Sequence, residues 1–288
     1  MGSLTSPKVI KNIIERHGFK FSKSLGQNFL IDSNIVEKII EGANISEEDN
    51  ILEIGPGIGT LTKELVTKAG KVVAVEIDRG LLPILNETLG SPSNLTIVQG
   101  DILKLDIKRL VKDYFEGQDF KVVANLPYYI TTPIIMRFLE EDLPFTALTV
   151  MVQKELAQRM AASPNSKEYG SLSVAVQYYT QPQLVCKVPS TVFMPRPKVD
   201  SLVITLNRLD HSPAEVKDEK LFFSIVRAAF AKRRKTLLNN LVAENLGDWD
   251  KAEITKILEE VGIDPQIRGE SLGIKEYALI ANRMGIRS

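Results

Sequence analysis

The tetrapeptide Asn125-Leu126-Pro127-Tyr128 closes a short apolar run that begins at Val122. Pro127 biases Leu126 toward an extended conformation and leaves the Leu126 carbonyl free to point into a cleft. With the Asn125 amide oxygen it makes a pair of acceptors, and Tyr128 adds an aromatic face beside them. Such a set suits a flat base that carries an exocyclic amino group. Two hydrogen bonds to the amino protons pull the nitrogen out of the ring plane and aim its lone pair at an electrophile. Stacking on Tyr128 contributes ~1–3 kcal/mol per base. The plain alternative is an ordinary Asn-x-Pro turn with a core tyrosine.

Three features upstream set the context for that reading. Glu53-Ile54-Gly55-Pro56-Gly57-Ile58-Gly59 lies between a strand pattern and a helix pattern, where glycines let the backbone turn tightly and approach a ligand at a helix N-terminus. The dinucleotide fingerprint needs a glycine at its sixth position, and Thr60 stands there. A nicotinamide or flavin dinucleotide is therefore disfavoured. Glu76 follows the last turn glycine by 76 − 59 = 17 residues, at the end of the next strand pattern. There a carboxylate can accept from both hydroxyls of a ribose. Asp101, beside Gly100 at the end of the strand after that, can accept from an adenine amino group. Each acid alone reads equally as a solvated strand end. In order, the three describe a site for an adenosine moiety without a pyrophosphate.

Other chemistries find little support. One cysteine (Cys186) and two distant histidines (His17, His211) cannot build the usual transition-metal site, so no metal is expected. The lone cysteine also suits a reducing compartment, hence a cytoplasmic protein. No apolar run approaches the ~20 residues of a membrane-spanning helix, and Pro7–Gly18 alternates apolar and charged residues where a signal peptide would have its apolar core. Met1-Gly2-Ser3-Leu4-Thr5-Ser6 fits the loose myristoylation pattern, which we read as chance. Lys+Arg and Asp+Glu balance at 36 each, yet the stretch 221–243 holds Arg227, Lys232, Arg233, Arg234 and Lys235 and no acid. Local basic density of this kind permits binding to RNA phosphates. The alternative is a solvated helix face.

The elements that must hold these residues alternate. Strand patterns at 50–54, 71–75, 95–98, 122–124 and 148–152 are each followed by a helical pattern, among them 60–68 and 81–89. Alternation at this spacing predicts a parallel sheet with helices on both faces. Two closely spaced runs, 184–188 and 201–206, predict an antiparallel hairpin at one edge. After Leu209 only helical patterns appear, at 221–231, 236–245, 251–261 and 275–284. A single helix through 221–243 would put Arg233 and Arg234 on the apolar stripe of Phe230 and Leu237, so a break capped by Thr236 is expected there.

Glu53–Gly59, Glu76, Gly100-Asp101 and Asn125–Tyr128 resemble the ordered motifs of S-adenosylmethionine-dependent N6-adenine methyltransferases. Ser24-Leu25-Gly26-Gln27-Asn28-Phe29-Leu30, Val192–Ser201, Phe230–Leu237 and Arg268–Leu272 resemble further motifs of the rRNA adenine dimethyltransferase family, most similar to its bacterial small-subunit (KsgA or RsmA) type. The resemblance spans about residues 20–285. It implies an α/β fold, a Rossmann-like class I methyltransferase sheet with an antiparallel edge hairpin, plus a small all-helical C-terminal domain. The domains would be 1–209, with an N-terminal arm at 1–30, and 210–288 for RNA binding. It implies S-adenosyl-L-methionine contacts at Gln27, Asn28, Leu30, Gly55, Gly57, Glu76, Ile77, Asp101, Ile102 and Asn125. The base would be held by Asn125, Leu126, Pro127 and Tyr128, with Phe193 stacking on its opposite face. RNA would meet Arg227 and Lys232–Lys235. The implied reaction is N6,N6-dimethylation of two adjacent adenines near the 3′ end of small-subunit rRNA, on an immature 30S particle, by a monomer without metal or membrane. Two alternatives stay open: an Erm-type large-subunit rRNA methyltransferase of macrolide resistance, and a non-catalytic RNA-binding assembly factor on the same fold.

Overall fold

Among the described residues the chain makes nine strands: β1 (Phe29–Leu30), β2 (Asn50–Ile54), β3 (Lys71–Glu76), β4 (Leu95–Gln99), β5 (Phe120–Asn125), β6 (Phe145–Gln153), β7 (Thr180–Val188), β8 (Phe193–Met194) and β9 (Ser201–Arg208). They are seen in a computed structural model that describes residues 3–22, 25–244, 246–247 and 249–287. Met1 and Gly2 of the lipidation pattern and Ser24 of the arm motif lie outside the described residues.

Seven strands form one sheet in the order β4-β3-β2-β5-β6-β9-β7, and β1 pairs with β8 in a separate two-stranded ladder. The pairs β2–β3, β3–β4, β2–β5 and β5–β6 are parallel. Their interior positions are apolar on both faces, as in Ile51, Leu52, Val72 and Val123, because helices such as Thr60–Lys68, Leu82–Leu89, Ile107–Phe115 and Thr131–Glu140 leave neither face to water. The strand order reverses between β3-β2 and β5, and ligands of open parallel sheets bind beyond the carboxyl ends at that point.

β9 runs antiparallel to β6, with Thr149 opposite Thr205 and their hydroxyls 3.0 Å apart. The sequence predicts a hairpin of two neighbouring runs at this edge. The two runs do stand side by side at this edge: β9 pairs with β6, β7 lies beyond β9 as the outermost strand of the sheet, and β8, between them in the chain, leaves the sheet to pair with β1.

The chain divides into two compact units. One ends at Ala157 and resumes over Pro182–Arg208; the other holds Gln158–Gln181 and continues from Leu209. The expected boundary at 209 therefore misplaces residues 158–181. Their helix Ser171–Tyr179 buries Val174 and Tyr178 in the same cluster as Phe222, Ile225, Leu241, Leu258 and Tyr277, and the Tyr178 ring lies 5.0 Å from that of Phe222. The remaining helices of this unit are Glu219–Ala229, Leu237–Ala243, Lys251–Glu260 and Ile274–Met284. The expected break is present. Thr236 caps the helix at Leu237 by accepting from the Asn239 amide at 3.3 Å, and Lys232–Lys235 stay exposed in the turn before it.

Candidate active site

The turn after β2 depends on its glycines. Gly55, Gly57 and Gly59 have φ of +70°, +62° and +88°, a region that costs a side-chain-bearing residue ~1 kcal/mol or more. A Cβ at Gly57 would also lie 3.1 Å from the Phe29 ring. Gly55 and Gly57, the ends of β3 and β5, and the arm segment Leu25–Leu30 line one open cleft. The parallel pairing of β2 with β5, Ile54 opposite Ala124, sets the glycine turn beside the Asn125 loop although some seventy residues separate them in the chain.

Gln27, Asn28, Leu30, Gly55, Gly57, Glu76, Ile77, Asn125, Leu126, Pro127 and Tyr128 all line this cleft. Asp101, Ile102 and Phe193 do not. Asp101 stands one strand further out, its carboxylate accepting from the Leu103 amide at 3.0 Å and 3.7 Å from Lys104. Ile102 is buried, and its carbonyl accepts from Arg137. Phe193 is 4% exposed and packs with Leu30, Met151, Val188 and Val203. The β1–β8 ladder sets Leu30 opposite Phe193, and the Phe193 ring is buried in this cluster.

Asn125 holds a defined orientation. Its Nδ2 donates to the Asn28 carbonyl at 2.9 Å, which leaves Oδ1 as the free acceptor. The Leu126 amide donates to the Met151 carbonyl at 3.3 Å, and the Pro127 carbonyl accepts from Ile130 and Thr131. No hydrogen bond reaches Asn125 Oδ1 or the Leu126 carbonyl among the described residues. Tyr128 shares a 2.7 Å hydrogen bond with Ser201, and burial pushes its hydroxyl pKa up. The ring is thus held in place and its phenol kept neutral.

Glu76 is 3% exposed and accepts from the Asp78 amide at 2.8 Å and the Gly57 amide at 3.2 Å. Burial pushes its pKa up to about 7, against the pull of those two donors. Sequence reasoning missed the role of Glu53 as a lining residue. It is 1% exposed, Oε2 has no hydrogen-bond partner, and burial raises its pKa to about 8, with the Glu76 carboxylate adding to the shift. The available signal was an acid between Leu52 and Ile54 in an otherwise apolar strand. Among the described residues, no group of three His, Cys, Asp or Glu side chains could hold a metal ion.

Glu53 also sets a pH dependence of stability. Its folded pKa lies above the ordinary value, so the folded chain keeps a proton that the unfolded chain releases between pH 4.5 and about 8. Stability therefore falls as pH rises through that window. Glu53→Gln, which keeps the neutral shape, removes the cost. The variant melts with wild type near pH 4.5 and at higher temperature by pH 8, the gain reaching ~4 kcal/mol at most. Calorimetric melts across this range check it; a gain independent of pH overturns it.

The basic residues belong to the other unit. Arg227, Lys232, Arg233, Arg234 and Lys235 are all exposed. Asn240, buried, donates to the Ala229 and Lys232 carbonyls at 2.8 and 3.2 Å and pins the turn that carries them. Arg233 pairs with Glu270 at 2.7 Å, and Arg227 donates to Ser224 at 3.0 Å. No helix among the described residues is long and apolar enough to cross a membrane.

A model of the family described as "Ribosomal RNA adenine dimethylase" matches residues 18–283. The protein named "Ribosomal RNA small subunit methyltransferase A" of Alkaliphilus oremlandii is 53% identical over 284 residues, 99% of each chain. Its namesake in Clostridioides difficile is 55% identical over 282 residues, 98% of this chain and 97% of the other. Among solved structures, a dimethyladenosine transferase from Plasmodium falciparum superposes with a TM-score of 0.76 at 25% identity, over 90% of this chain and 98% of that one. The 23S rRNA methyltransferase ErmE superposes with 0.68 at 24% identity, over 89% and 99%, a likeness of fold alone. With that match over nearly its whole length, the chain belongs to the ribosomal RNA adenine dimethylase family.

Proposed function

We propose that this chain transfers methyl groups from S-adenosyl-L-methionine to N6 of two adjacent adenines near the 3′ end of small-subunit rRNA, in an immature 30S particle, as a cytoplasmic monomer. The observation that carries the reading is the Asn125 carboxamide, whose nitrogen is committed to the Asn28 carbonyl so that its oxygen is the free acceptor, in a cleft that Leu126 and Glu76 also line. The residues fit the donor. Glu76 is placed for the ribose hydroxyls and Ile77 for a purine face, while Gly55 leaves space where a side chain would stand. The unpartnered Glu53 oxygen and Glu76 give the cleft two carboxyl groups, suited to a cation. When bound, the donor supplies a methyl group on a sulfonium, already electrophilic.

The task left to the protein is alignment, which supplies several kcal/mol when donor and acceptor are held in line. Asn125 Oδ1 and the Leu126 carbonyl accept the two amino protons and direct the nitrogen lone pair, while Tyr128 stacks on the base. The amine becomes acidic only as the new bond forms, and the proton it then releases passes to solvent, so no dedicated general base is needed. After the first transfer one proton remains, and one of the two acceptors holds it while the other tolerates the methyl group. The adenine must leave its stack to enter, and stacking on Tyr128 offsets part of that cost. Lys232, Arg234 and Lys235 contact phosphates and position the RNA without reading bases.

The test is mass-spectrometric mapping of N6,N6-dimethyladenine in rRNA of cells with and without this protein. The small-subunit marks disappear in its absence and return with the wild-type chain. A triple Lys232→Ala, Arg234→Ala, Lys235→Ala variant restores them poorly and binds RNA with a log–log salt slope smaller by about two to three. Marks that persist without the protein overturn the reading; marks lost from large-subunit rRNA instead favour the Erm-type alternative.

A further inference from the structure

A chain of hydrogen bonds on the arm side of the cleft takes no part in the scheme above. Both ends of the Gln27 carboxamide are engaged: Oε1 accepts from the Ser22 amide at 2.8 Å, and Nε2 donates to Asp78 Oδ2 at 2.6 Å. Gln27 therefore lines the cleft with its polar atoms already committed to protein. Asp78 is itself fixed, since its Oδ1 accepts from the Gly80 amide at 2.9 Å and its own amide donates to Glu76 at 2.8 Å. One residue beyond Gln27, the Asn28 side chain closes the turn onto the Gly26 carbonyl at 3.0 Å, and the Asn28 carbonyl accepts from Asn125 Nδ2 at 2.9 Å. The turn 26–28 is thus tied at one side to the loop after β3 and at the other to the carboxamide after β5.

A carboxamide has two flips of nearly equal shape, and its hydrogen-bond partners decide between them. A carbonyl can only accept, so the Asn28 carbonyl selects the flip that directs Nδ2 to itself and Oδ1 away from it. The opposite flip would present N–H groups to an amine that also carries N–H groups. We propose that Gln27 and Asp78 form a latch that fixes the turn 26–28, and through the Asn28 carbonyl sets the orientation of Asn125 for methyl transfer. Both are positioning residues. The inference rests on the reading of Asn125 as the acceptor for the target amine.

Reversing the polarity of the latch tests it. Gln27→Glu sets two carboxylates against each other, and Asp78→Asn sets two amides with their donors opposed. Combined, the new amide donates to the new carboxylate, while acceptors remain for the Ser22 and Gly80 amides. Single-turnover methylation at saturating donor and RNA falls on the order of 10²-fold in each single variant, and the double variant returns to within several-fold of wild type. A double variant as slow as Gln27→Glu, or single variants at wild-type rate, overturns the latch. Recovery of Gln27→Glu by excess donor overturns it as well, since that is the signature of a direct cofactor contact. Asn125→Ala, run alongside, separates the two ideas: its full activity would remove the reading of Asn125, whereas an inactive Asn125→Ala with an unrescued double variant removes the latch alone.

Discussion

Asn125→Ala lowers the rate of methyl transfer by about 10³-fold while the affinity for S-adenosylmethionine changes by less than about tenfold. The asymmetry follows from what each atom of the side chain does. Nδ2 is spent on the Asn28 carbonyl, so its loss loosens the arm next to the cofactor without removing a cofactor contact made by a charge. In the proposed reading Oδ1 carries the chemistry, as one of two acceptors that shape the amine for attack. Removing one preorganised group aimed at the reacting centre costs about 10²–10³ in rate, and loss of the arm contact adds to it. Asn125→Asp distinguishes the two contributions. It keeps an acceptor but sets a carboxylate against the Asn28 carbonyl, so it also falls well below wild type. Single-turnover rates with titration calorimetry of the donor read both quantities. An alanine variant that methylates at near the normal rate removes Asn125 from the reaction.

The affinity for S-adenosylmethionine rises with pH up to about 7 and flattens above it. Burial holds the Glu76 carboxyl up at about 7 in the free protein, and ribose hydroxyls donate more strongly to the ionised form, which accepts at both oxygens. Below that pH binding must expel a proton, so the logarithm of the affinity climbs with a slope approaching one. Glu53, held up at about 8, extends the rise more weakly, and the two carboxyls titrate as a coupled pair. Glu76→Gln flattens the profile and Glu76→Ala weakens binding by on the order of 10²-fold at pH 8, from the loss of two hydrogen bonds to a charged acceptor at ~1.5–3 kcal/mol each. Calorimetry in buffers of different ionisation enthalpy counts the released proton directly. A wild-type affinity that is flat from pH 6 to 8 would exclude Glu76 as the ribose acceptor.

The parts of the site that could be read from the sequence are those whose signal is local. A glycine turn between a strand and a helix, an acid at a strand end and an Asn-Leu-Pro-Tyr loop each declare themselves within seven residues. The parallel sheet then places them at one rim without further information. What could not be read depends on partners far along the chain. The Phe193 ring points where the ladder with Leu30 sends it, and no pattern near residue 193 encodes that ladder. Residues 158–181 join the helical unit because Tyr178 finds Phe222, not because of any change in their own periodicity. β9 displaces β7 from the neighbour position through its pairing with β6, which adjacency in the chain does not specify. The bonds of Gln27 to Ser22 and Asp78 were likewise not legible, since Asp78 lies 51 residues away in the chain. Glu53 was visible as an odd acid, but its meaning lies in the absence of a partner for Oε2.

Ile54 and Ala124 stand opposite one another on neighbouring strands, so the spacing between the glycine turn and the Asn125 loop is inherited from the interstrand repeat, about 4.8 Å. Surrounding loops can lengthen, shorten or change charge while the spacing of these two segments stays constant. A shift of one rung would instead turn Asn125 to the opposite face of the sheet, silencing the enzyme while its core remained folded.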